Sequence, residues 1–335
     1  MKDYKDFSIL RYNTFGMDVK ASRFIEYASV SELKSLLKSV DQPFLHIGGG
    51  SNLLFLSDYN GTILHSAIKG FEVVSQTDEY VDIKVGAGEI WDDFVAYTVS
   101  CGWYGAENLS IIPGEVGASA VQNIGAYGVE AKDIILNVHT LSVSDSSERI
   151  FTNHECGYSY RYSKFKGEYK GKYIVTHVTY RLSRKPCFHL SYGNISSELE
   201  SRSLPLTLDN VRSVIIDVRR SKLPEPSELG NAGSFFMNPV VPMEKFNELQ
   251  SLYPDIPNYQ VGEDAVKIPA GWMIDRCGWK GRSIGRAGVY HKQALVLVNL
   301  GGADGREIMN LATEVINSVK DKFGVEIHPE VNYIY

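Results

Sequence analysis

Two glycine-rich segments decide the fold of this chain: residues 47–54, with the sequence IGGGSNLL, and residues 112–128, with the sequence IPGEVGASAVQNIGAYG. A main chain without Cβ atoms can approach a phosphate closely and turn several N–H groups toward it. The first segment lacks both the G-x-G-x-x-G spacing of a dinucleotide fingerprint and the Gly-Lys-Ser/Thr of a Walker loop. The second has no lysine or arginine, so main-chain dipoles would hold an anion there. Either segment alone is more often a tight turn.

The residues around the first segment indicate a mixed structure. Apolar residues at helical spacing predict a helix over 28–39, with Ser31 as its N-cap. A strand over 43–47 leads into the glycines, the apolar run 53–56 follows, and Asn60-Gly61 marks a turn. The order is therefore helix, strand, glycine segment, apolar run, turn and strand.

The rest of the chain continues this mixture. Alternating or apolar runs predict strands over 80–85, 134–143, 173–182, 294–300 and 325–334, the last interrupted by Pro329. Helical spacing predicts helices over 91–99, 211–218, 243–253 and 306–323, with Gly102 and Gly324 as stop signals. Strands and helices do not alternate strictly, which favours an α+β fold over a doubly wound sheet. The sequence KLPEP after position 221 breaks a helix and predicts a domain boundary near 220.

The formal net charge of −6 disfavours extensive binding to nucleic acid, because a negative surface repels polyanions unless cations are gathered locally. A small anionic ligand stays possible if basic residues line one pocket. The densest basic groups are Arg219, Arg220 and Lys222, and Lys280 with Arg282 and Arg286. The alternative for the first group is that it only offsets the negative end of a helix.

Composition also bears on the compartment. No apolar stretch approaches the roughly 20 residues of a membrane-spanning helix, and the start, MKDYKD, is too polar for a signal peptide. The four cysteines are widely spaced without a C-x-x-C pair, which argues against a zinc site, an iron–sulfur cluster or a disulfide framework. We expect a soluble cytoplasmic protein with reduced thiols, no metal site and no membrane contact.

Five further motifs follow the glycine segments in order. They are YSYRYSKFK at 158–166, LSYG at 190–193, RRSKLP at 219–224, GNAGSFFMNP at 230–239 and HPEV at 328–331. Together with the glycine segments they resemble the UDP-N-acetylenolpyruvoylglucosamine reductase family over essentially the whole chain. The LSYG motif and the YRYSKFK sequence resemble the branch of that family with an extra, substrate-covering tyrosine loop. Five such motifs in register are far more specific than any one of them.

The resemblance implies a fold and a division of the chain. The fold is the FAD-binding type of the vanillyl-alcohol oxidases, with two α+β subdomains and a C-terminal α+β substrate-binding domain. We expect residues 1–70 to form the first FAD-binding subdomain, together with the tail 325–335. Residues 71–220 would form the second, and residues 221–324 the substrate-binding domain.

The resemblance also implies the reaction. FAD, bound without a covalent link, would take a hydride from NADPH and pass it to C3 of the enolpyruvyl ether of UDP-N-acetylglucosamine, giving UDP-N-acetylmuramate for peptidoglycan synthesis. Arg161 matches the cation that stabilises the charge developing on the substrate carboxylate. Glu330 matches the carboxylate that orients or shares a proton with the same intermediate, and Ser234 matches the proton donor to C2. Outside their motifs, these three residues would be an ion-paired arginine, a solvated glutamate and a turn serine.

Binding residues follow from the same motifs. Lys222 and Tyr192 are expected at the diphosphate of the UDP-sugar, and Asn238 and Gln293 at its sugar or nucleotide. We expect a monomer that binds NADPH and the UDP-sugar in alternation. The residues expected at FAD, mainly through main-chain amides, are Gly48, Gly49, Gly50, Ser51, Asn52, Gly117, Ser119, Asn123, Gly125 and Tyr127.

Two alternatives stay open at this point. One is an oxidase or dehydrogenase of a sugar alcohol or lactone on the same FAD fold. Such enzymes often link flavin to a histidine or cysteine, and residues 48–52 contain neither. The other is a non-catalytic nucleotide-binding module, although no catalytic position of the motifs is lost. One departure from the family is Met237, which stands where some members carry a lysine, so cationic help from that position is not expected.

Overall fold

The computed structural model describes all residues from 1 to 335. The chain forms two compact units. The first unit contains residues 1–7, 21–49 and 60–219, and the second contains residues 8–20, 50–59 and 220–335. The division between the units falls inside the first glycine segment, between Gly49 and Gly50. The sequence predicted three functional domains, and the division into two compact units does not test that prediction.

The first unit is built on two sheets. One has four strands, in the order Lys2–Ser8, Lys20–Tyr27, Tyr59–Ser66 and Phe44–Ile47, with the last pair parallel. The other has five antiparallel strands, in the order Glu148–Thr152, Ile135–Ser142, Tyr173–Ser183, Tyr80–Gly86 and Phe71–Gln76. A short hairpin pairs Gly125–Ala126 with Val129–Glu130. The helices are Val30–Leu37, Trp91–Ser100, Val116–Gln122, Ile195–Ser201 and Leu208–Lys222, the last of which belongs to this unit as far as Arg219.

An aromatic core holds the five-stranded sheet against its helices. Trp91 and Phe94 are fully buried on one face of their helix, and the ring of Phe94 stacks on Tyr180 with 4.6 Å between centroids. Complete burial of such side chains stabilises the fold by about 1.5–3 kcal/mol each. The indole of Trp91 also donates to the carbonyl of Leu109 at 2.8 Å, so its one polar atom is satisfied.

Three sequence-based predictions in this unit need correction. Asn60-Gly61, predicted to mark a turn, lies inside the strand Tyr59–Ser66. The N-cap of the helix Val30–Leu37 is Ser29 rather than Ser31, because the Ser29 hydroxyl accepts from the N–H of Glu32 at 3.1 Å. The sequence predicted no helix within residues 112–128, but Val116–Gln122 is a helix. Its glycine, alanine and serine residues mask the helical pattern because they provide few large apolar side chains.

The second unit contains three small sheets. A four-stranded antiparallel sheet has the order Gly230–Ser234, Val296–Asn299, Ala287–Val289 and Ser283–Ile284. A three-stranded sheet has the order Val240–Pro242, Ala265–Lys267 and Tyr259–Val261. The strand Asn332–Ile334 pairs in parallel with Leu53–Phe55. The helices are Met243–Leu252, Ala270–Arg276 and Gly305–Phe323.

The helix Gly305–Phe323 anchors the core of this unit. It begins with a capping box, in which Asp304 accepts from the N–H of Glu307 at 2.9 Å and Glu307 accepts from the N–H of Asp304 at 3.1 Å. It ends at Gly324 in the left-handed conformation, as the sequence predicted. A Cβ at Gly305 would lie 2.0 Å from the carbonyl oxygen of Phe55, so only glycine lets the helix approach that strand. The mixture of helices and largely antiparallel sheets confirms the predicted α+β class. No helix combines the length and the apolar character that crossing a membrane requires.

Candidate active site

The first glycine segment needs a glycine at position 50 for two reasons. Gly50 has φ +66°, and a Cβ there would lie 1.8 Å from the carbonyl oxygen of Tyr12. Its own carbonyl accepts from the N–H of Thr14 at 3.4 Å. This part of the second unit is therefore packed main chain against main chain, which no other residue at position 50 would allow.

Asn52 connects the glycine segment to the predicted catalytic carboxylate residue. Its side-chain amide donates to the carbonyl of Glu330 at 3.1 Å, and its own carbonyl accepts from the N–H of Asn332 at 3.0 Å. The N–H of Glu330 in turn donates to the carbonyl of Phe235 at 2.8 Å. The structure thus links Asn52 and Glu330 by hydrogen bonds within the second unit, and the acceptor of the Glu330 N–H is Phe235, the residue that follows Ser234.

Ser234 is presented by an irregular end of its strand. The pairing with Val296–Asn299 shifts between Asn231 and Ser234, and Gly233 between them has φ +67°. The side chain of Asn231 is buried and accepts from the N–H of Gly233 at 2.9 Å while donating to the carbonyl of Leu229 at 2.8 Å. This bulge turns Ser234 outward, and its side chain is exposed.

The two glycine segments meet within the first unit. A Cβ at Gly48 would lie 3.2 Å from Oε2 of Glu115, and one at Gly49 would lie 3.6 Å from the Cα of Gly114. The absence of side chains at positions 48 and 49 therefore permits close contact with the Glu115 side chain and the Gly114 main chain, more than 60 residues away in sequence. The sequence predicted that each glycine segment binds FAD, and the structure places Gly48 and Gly49 next to Gly114 and Glu115.

Three predicted FAD residues of the second segment have structural partners. Gly117 packs on Ala87, where a Cβ would lie 2.9 Å from the alanine side chain. The Ser119 hydroxyl is buried and bonds to the carbonyl of Val116 and to the hydroxyl of Tyr180, each at 2.7 Å. Asn123, also buried and with φ +47°, donates to the carbonyl of Ser159 at 2.8 Å. Any contact of Ser119 or Asn123 with FAD would therefore come from the main chain.

The end of the second segment is a tight hairpin. Tyr127 and Gly128 both have positive φ, +48° and +81°, as a two-residue type I′ turn requires. Asn108 donates from one amide nitrogen to the carbonyl of Tyr127 at 2.9 Å and to that of His189 at 2.7 Å. A Cβ at Gly193 would lie 2.5 Å from the Tyr127 ring, so the loop that carries Tyr192 packs on this turn. Tyr192 itself is 46% exposed.

Arg161 lies against the hairpin strand. Its Nη2 donates to the carbonyl of Gly125 at 2.7 Å, and a Cβ at Gly125 would lie 2.6 Å from its Nη1. Its guanidinium also lies 5.3 Å from the centre of the Tyr160 ring. Arg161 has φ +54°, and Lys166 donates to its carbonyl at 2.9 Å. The charge is thereby held at a defined place in the first unit.

The remaining predicted substrate residues belong to the second unit. Asn238 accepts from the N–H of Ala270 at 2.9 Å and so caps the helix Ala270–Arg276. Gln293 packs near the same helix end, where a Cβ at Gly271 would lie 3.1 Å from its Oε1. Lys222 ends the helix Leu208–Lys222 and is exposed. Of this group only Lys222 projects into solvent, which suits a side chain that contacts a ligand.

Several residues that organise the site were missed from the sequence. Asn108 joins two loops, Asn231 shapes the bulge before Ser234, and Ser163 donates to the carbonyl of Val121 at 2.6 Å while fully buried. Ser163 and Asn231 lie inside two of the sequence motifs, and Asn108 lies shortly before the second glycine segment. This proximity was the only sign of their importance in the sequence. Their hydrogen-bond partners depend on tertiary contacts that the local sequence does not encode.

The residues present suit FAD. Glycines at 48 and 49 leave main chain accessible for a diphosphate, as such sites require. Gln122 and Asn108 each bury a side-chain oxygen that has no hydrogen-bond partner within the protein, and both belong to or contact the second segment. Burial of an unpaired acceptor is costly, so these oxygens fit donors from a bound group.

Known proteins resemble the chain over nearly its whole length. The chain is 58% identical over 330 residues to UDP-N-acetylenolpyruvoylglucosamine reductase of Bacteroides fragilis, covering 98% of this chain and 99% of the relative. It is 47% identical over 333 residues to the reductase of the same name from Porphyromonas gingivalis, covering 98% of each. The crystal structure of UDP-N-acetylenolpyruvylglucosamine reductase (MurB) from Thermus caldophilus superposes with a TM-score of 0.69 at 21% identity, covering 100% of this chain and 98% of that one.

Two family models match separate parts of the chain. Residues 21–152 match an FAD binding domain, and residues 225–334 match the C-terminal domain of UDP-N-acetylenolpyruvoylglucosamine reductase. These matches confirm the predicted FAD cofactor and the predicted FAD-binding domain. They also confirm that the chain is an oxidoreductase. On the identity and coverage of these relatives, the chain belongs to the UDP-N-acetylenolpyruvoylglucosamine reductase family.

Proposed function

We propose that this protein uses NADPH to reduce the enolpyruvyl ether of UDP-N-acetylglucosamine to UDP-N-acetylmuramate. The observation that carries the proposal is the Arg161 guanidinium, which the carbonyl of Gly125 holds within the segment assigned to FAD. A fixed cation there suits a reaction that builds negative charge on a carboxylate. Oxidation of a sugar alcohol, the competing reaction, has no such charge to stabilise.

FAD, when bound, supplies the redox chemistry by taking a hydride from NADPH and passing one to C3 of the enolpyruvyl group. We assign its diphosphate to the main chain of the two glycine segments, which meet at Gly48, Gly49 and Gly114. The hairpin from Gly125 to Tyr127 would complete this binding surface. Backbone N–H groups bind a diphosphate without a cationic side chain, which agrees with the absence of lysine and arginine from residues 112–128.

Arg161 is assigned to the substrate carboxylate. Hydride addition at C3 moves negative charge toward that carboxylate, and a preorganised guanidinium stabilises it without reorganising at the moment of reaction. The planar fork of arginine can bind both carboxylate oxygens, which lysine cannot do. The contacts of Arg161 with Gly125 and Tyr160 supply the preorganisation.

Ser234 and Glu330 are assigned to proton handling. An exposed hydroxyl on a rigid bulge can deliver a proton to C2, completing the reduction of the double bond. The main chain of Glu330 is tied to Phe235, the residue after Ser234. This hydrogen bond fixes the main chain of Glu330 relative to that of Ser234. Two groups that act on one enolic intermediate need such a fixed relative position.

Substrate recognition and cellular setting complete the proposal. Lys222 supplies a point charge and Tyr192 a hydroxyl for the UDP diphosphate. The Asn238 oxygen caps a helix, so its amide nitrogen would be the group offered to a ligand. Gln293 is proposed for the sugar or nucleotide. NADPH and the UDP-sugar would bind in alternation to a monomeric cytoplasmic enzyme, giving ping-pong kinetics.

The function is tested by two half-reactions followed separately. The FAD-loaded protein is reduced with NADPH under anaerobic conditions, and UDP-N-acetylglucosamine enolpyruvate is then added while the flavin absorbance is recorded. We expect rapid reoxidation and formation of UDP-N-acetylmuramate. Reduced flavin that is stable to this substrate but reoxidises with another acceptor would contradict the proposal.

Acid precipitation separates this enzyme from a flavin-linked oxidase. Residues 48–52 contain no histidine or cysteine to which flavin would be linked. We expect all flavin to stay in the supernatant after precipitation with acid, measured by its fluorescence. A yellow pellet would instead support the oxidase alternative.

A further inference from the structure

A charged cluster lies behind the first glycine segment, and the proposed reaction makes no use of it. At its centre is His65, whose side chain is only 8% exposed. Nε2 of His65 lies 2.9 Å from Oε1 of Glu115, and Nδ1 lies 3.4 Å from Oε2 of Glu26. The ring of Phe24 stacks alongside His65, and all of these residues belong to the first unit.

Each ring nitrogen of His65 faces a carboxylate oxygen. A carboxylate oxygen only accepts hydrogen bonds, so an imidazole with a carboxylate at each nitrogen interacts best when both nitrogens carry a proton. A second histidine, His46, lies nearby, and its Nε2 is 2.7 Å from the hydroxyl of Tyr27. Desolvation, and next the charge of His65, lower the pKa of His46 to about 3, so His46 is neutral near pH 7.

Glu115 places a negative charge close to the main chain of the glycine segment. Its Oε2 would lie 3.2 Å from a Cβ at Gly48, so the carboxylate lies directly against that glycine. A diphosphate held by the N–H groups of Gly48 and Gly49 would be within about 10 Å of this carboxylate, the screening length of charges at about 0.1 M ionic strength. Left uncompensated, Glu115 would repel the ligand.

We propose that His65 is a positioning residue of the FAD site: as an imidazolium it neutralises and orients Glu115, which keeps the Gly48–Gly49 main chain able to accept the FAD diphosphate. The inference rests on the proposed assignment of FAD to this segment. In this proposal the cluster holds two cations, His65 and Lys2, and two carboxylates, Glu115 and Glu26. Lys2 contributes because its Nζ lies 2.6 Å from Oε1 of Glu26. His65 therefore acts through Glu115 and needs no contact with FAD.

Three variants separate charge from shape. His65→Gln leaves one carboxylate unbalanced, so we expect the Kd of the apoprotein for FAD to rise about tenfold or more. Glu115→Gln removes that carboxylate, and its Kd should equal the parent's or fall below it. In His65→Gln with Glu115→Gln the charges balance again, and the Kd should return to within about twofold of the parent.

The measurement is FAD binding to each apoprotein by quenching of flavin fluorescence, with thermal unfolding to show that each variant is folded. His46→Gln is the matched control, since it replaces a nearby neutral histidine without changing charge and should leave the Kd within about twofold of the parent. Rescue by the second substitution is a result that a purely structural role of His65 would not produce.

The possible outcomes decide between explanations. If the double variant binds FAD as weakly as His65→Gln, or if His46→Gln weakens binding equally, His65 acts by packing and the inference is wrong. Should His65→Gln fail to fold, Glu115→Gln decides alone, because weaker FAD binding in that variant overturns the inference. A parent apoprotein that does not bind FAD would instead contradict the proposed function.

Discussion

Replacing Ser234 by alanine is expected to leave the reduction of bound FAD by NADPH nearly intact while slowing the second half-reaction by about 10²- to 10⁴-fold. The reason is that the proposed role of Ser234 begins only after hydride reaches C3, when C2 needs a proton. The exposed hydroxyl on its bulge contributes nothing to the approach of NADPH in this scheme. Stopped-flow absorbance of the flavin measures the two steps separately.

Two variants control the Ser234 experiment. Ser251→Ala removes an exposed serine hydroxyl from the helix Met243–Leu252 of the same unit, and both half-reactions should keep the parent's rates. Ser234→Cys restores an ionisable proton donor at the same position and should recover part of the lost rate. Equal loss of both half-reactions in Ser234→Ala would remove Ser234 from the donor role.

Replacing Arg161 by methionine is expected to slow reoxidation of the reduced flavin by the enolpyruvyl substrate by about 10²- to 10³-fold. The guanidinium donates to the carbonyl of Gly125 at 2.7 Å, and in the proposed role this fixed position lets it stabilise the developing charge without reorganising. Arg161→Lys keeps the charge but loses the planar fork, so its rate should fall between those of methionine and the parent. Single-turnover kinetics with the reduced protein measure the effect.

The control for Arg161 is another arginine that lies against an aromatic ring in the first unit. Arg149 lies 4.1 Å from the centre of the Phe151 ring and has no proposed role at the site. Arg149→Met should reoxidise at the parent's rate. If Arg161→Met also does so while binding substrate normally, Arg161 is not the group that stabilises the developing charge.

Local sequence patterns predicted most helices and strands. They failed where a helix consists of small residues and where two neighbouring serines could each be the N-cap. The strands at 80–85 and 173–182 and the helix at 306–323 lie where periodicity placed them, within two residues at each end. The helix Val116–Gln122 was missed because its small residues give no amphipathic stripe. Ser31 was mistaken for the N-cap because Ser29 and Ser31 are chemically equivalent in sequence, and only the bond to Glu32 distinguishes them.

The candidate site was predicted as a set of residues rather than as an arrangement. Ser119, Asn123 and Asn238 were chosen for their motifs, and the structure directs the Ser119 hydroxyl, the Asn123 amide and the Asn238 oxygen to partners within the protein. A polar side chain carries no local mark of whether its partner is a ligand or the main chain. That choice depends on burial, which the tertiary fold sets.

The sequence alone determined the α+β class, the order of the motifs around the two glycine segments and the resemblance to a reductase family, because periodicity and motif spacing are linear properties of the chain. The tertiary structure alone decided that Gly48 lies against Glu115, that Asn52 bonds to Glu330 across 278 positions and that His65 lies between two carboxylates. These contacts arise from strand pairing and helix packing between distant segments, and no neighbour in the sequence specifies them.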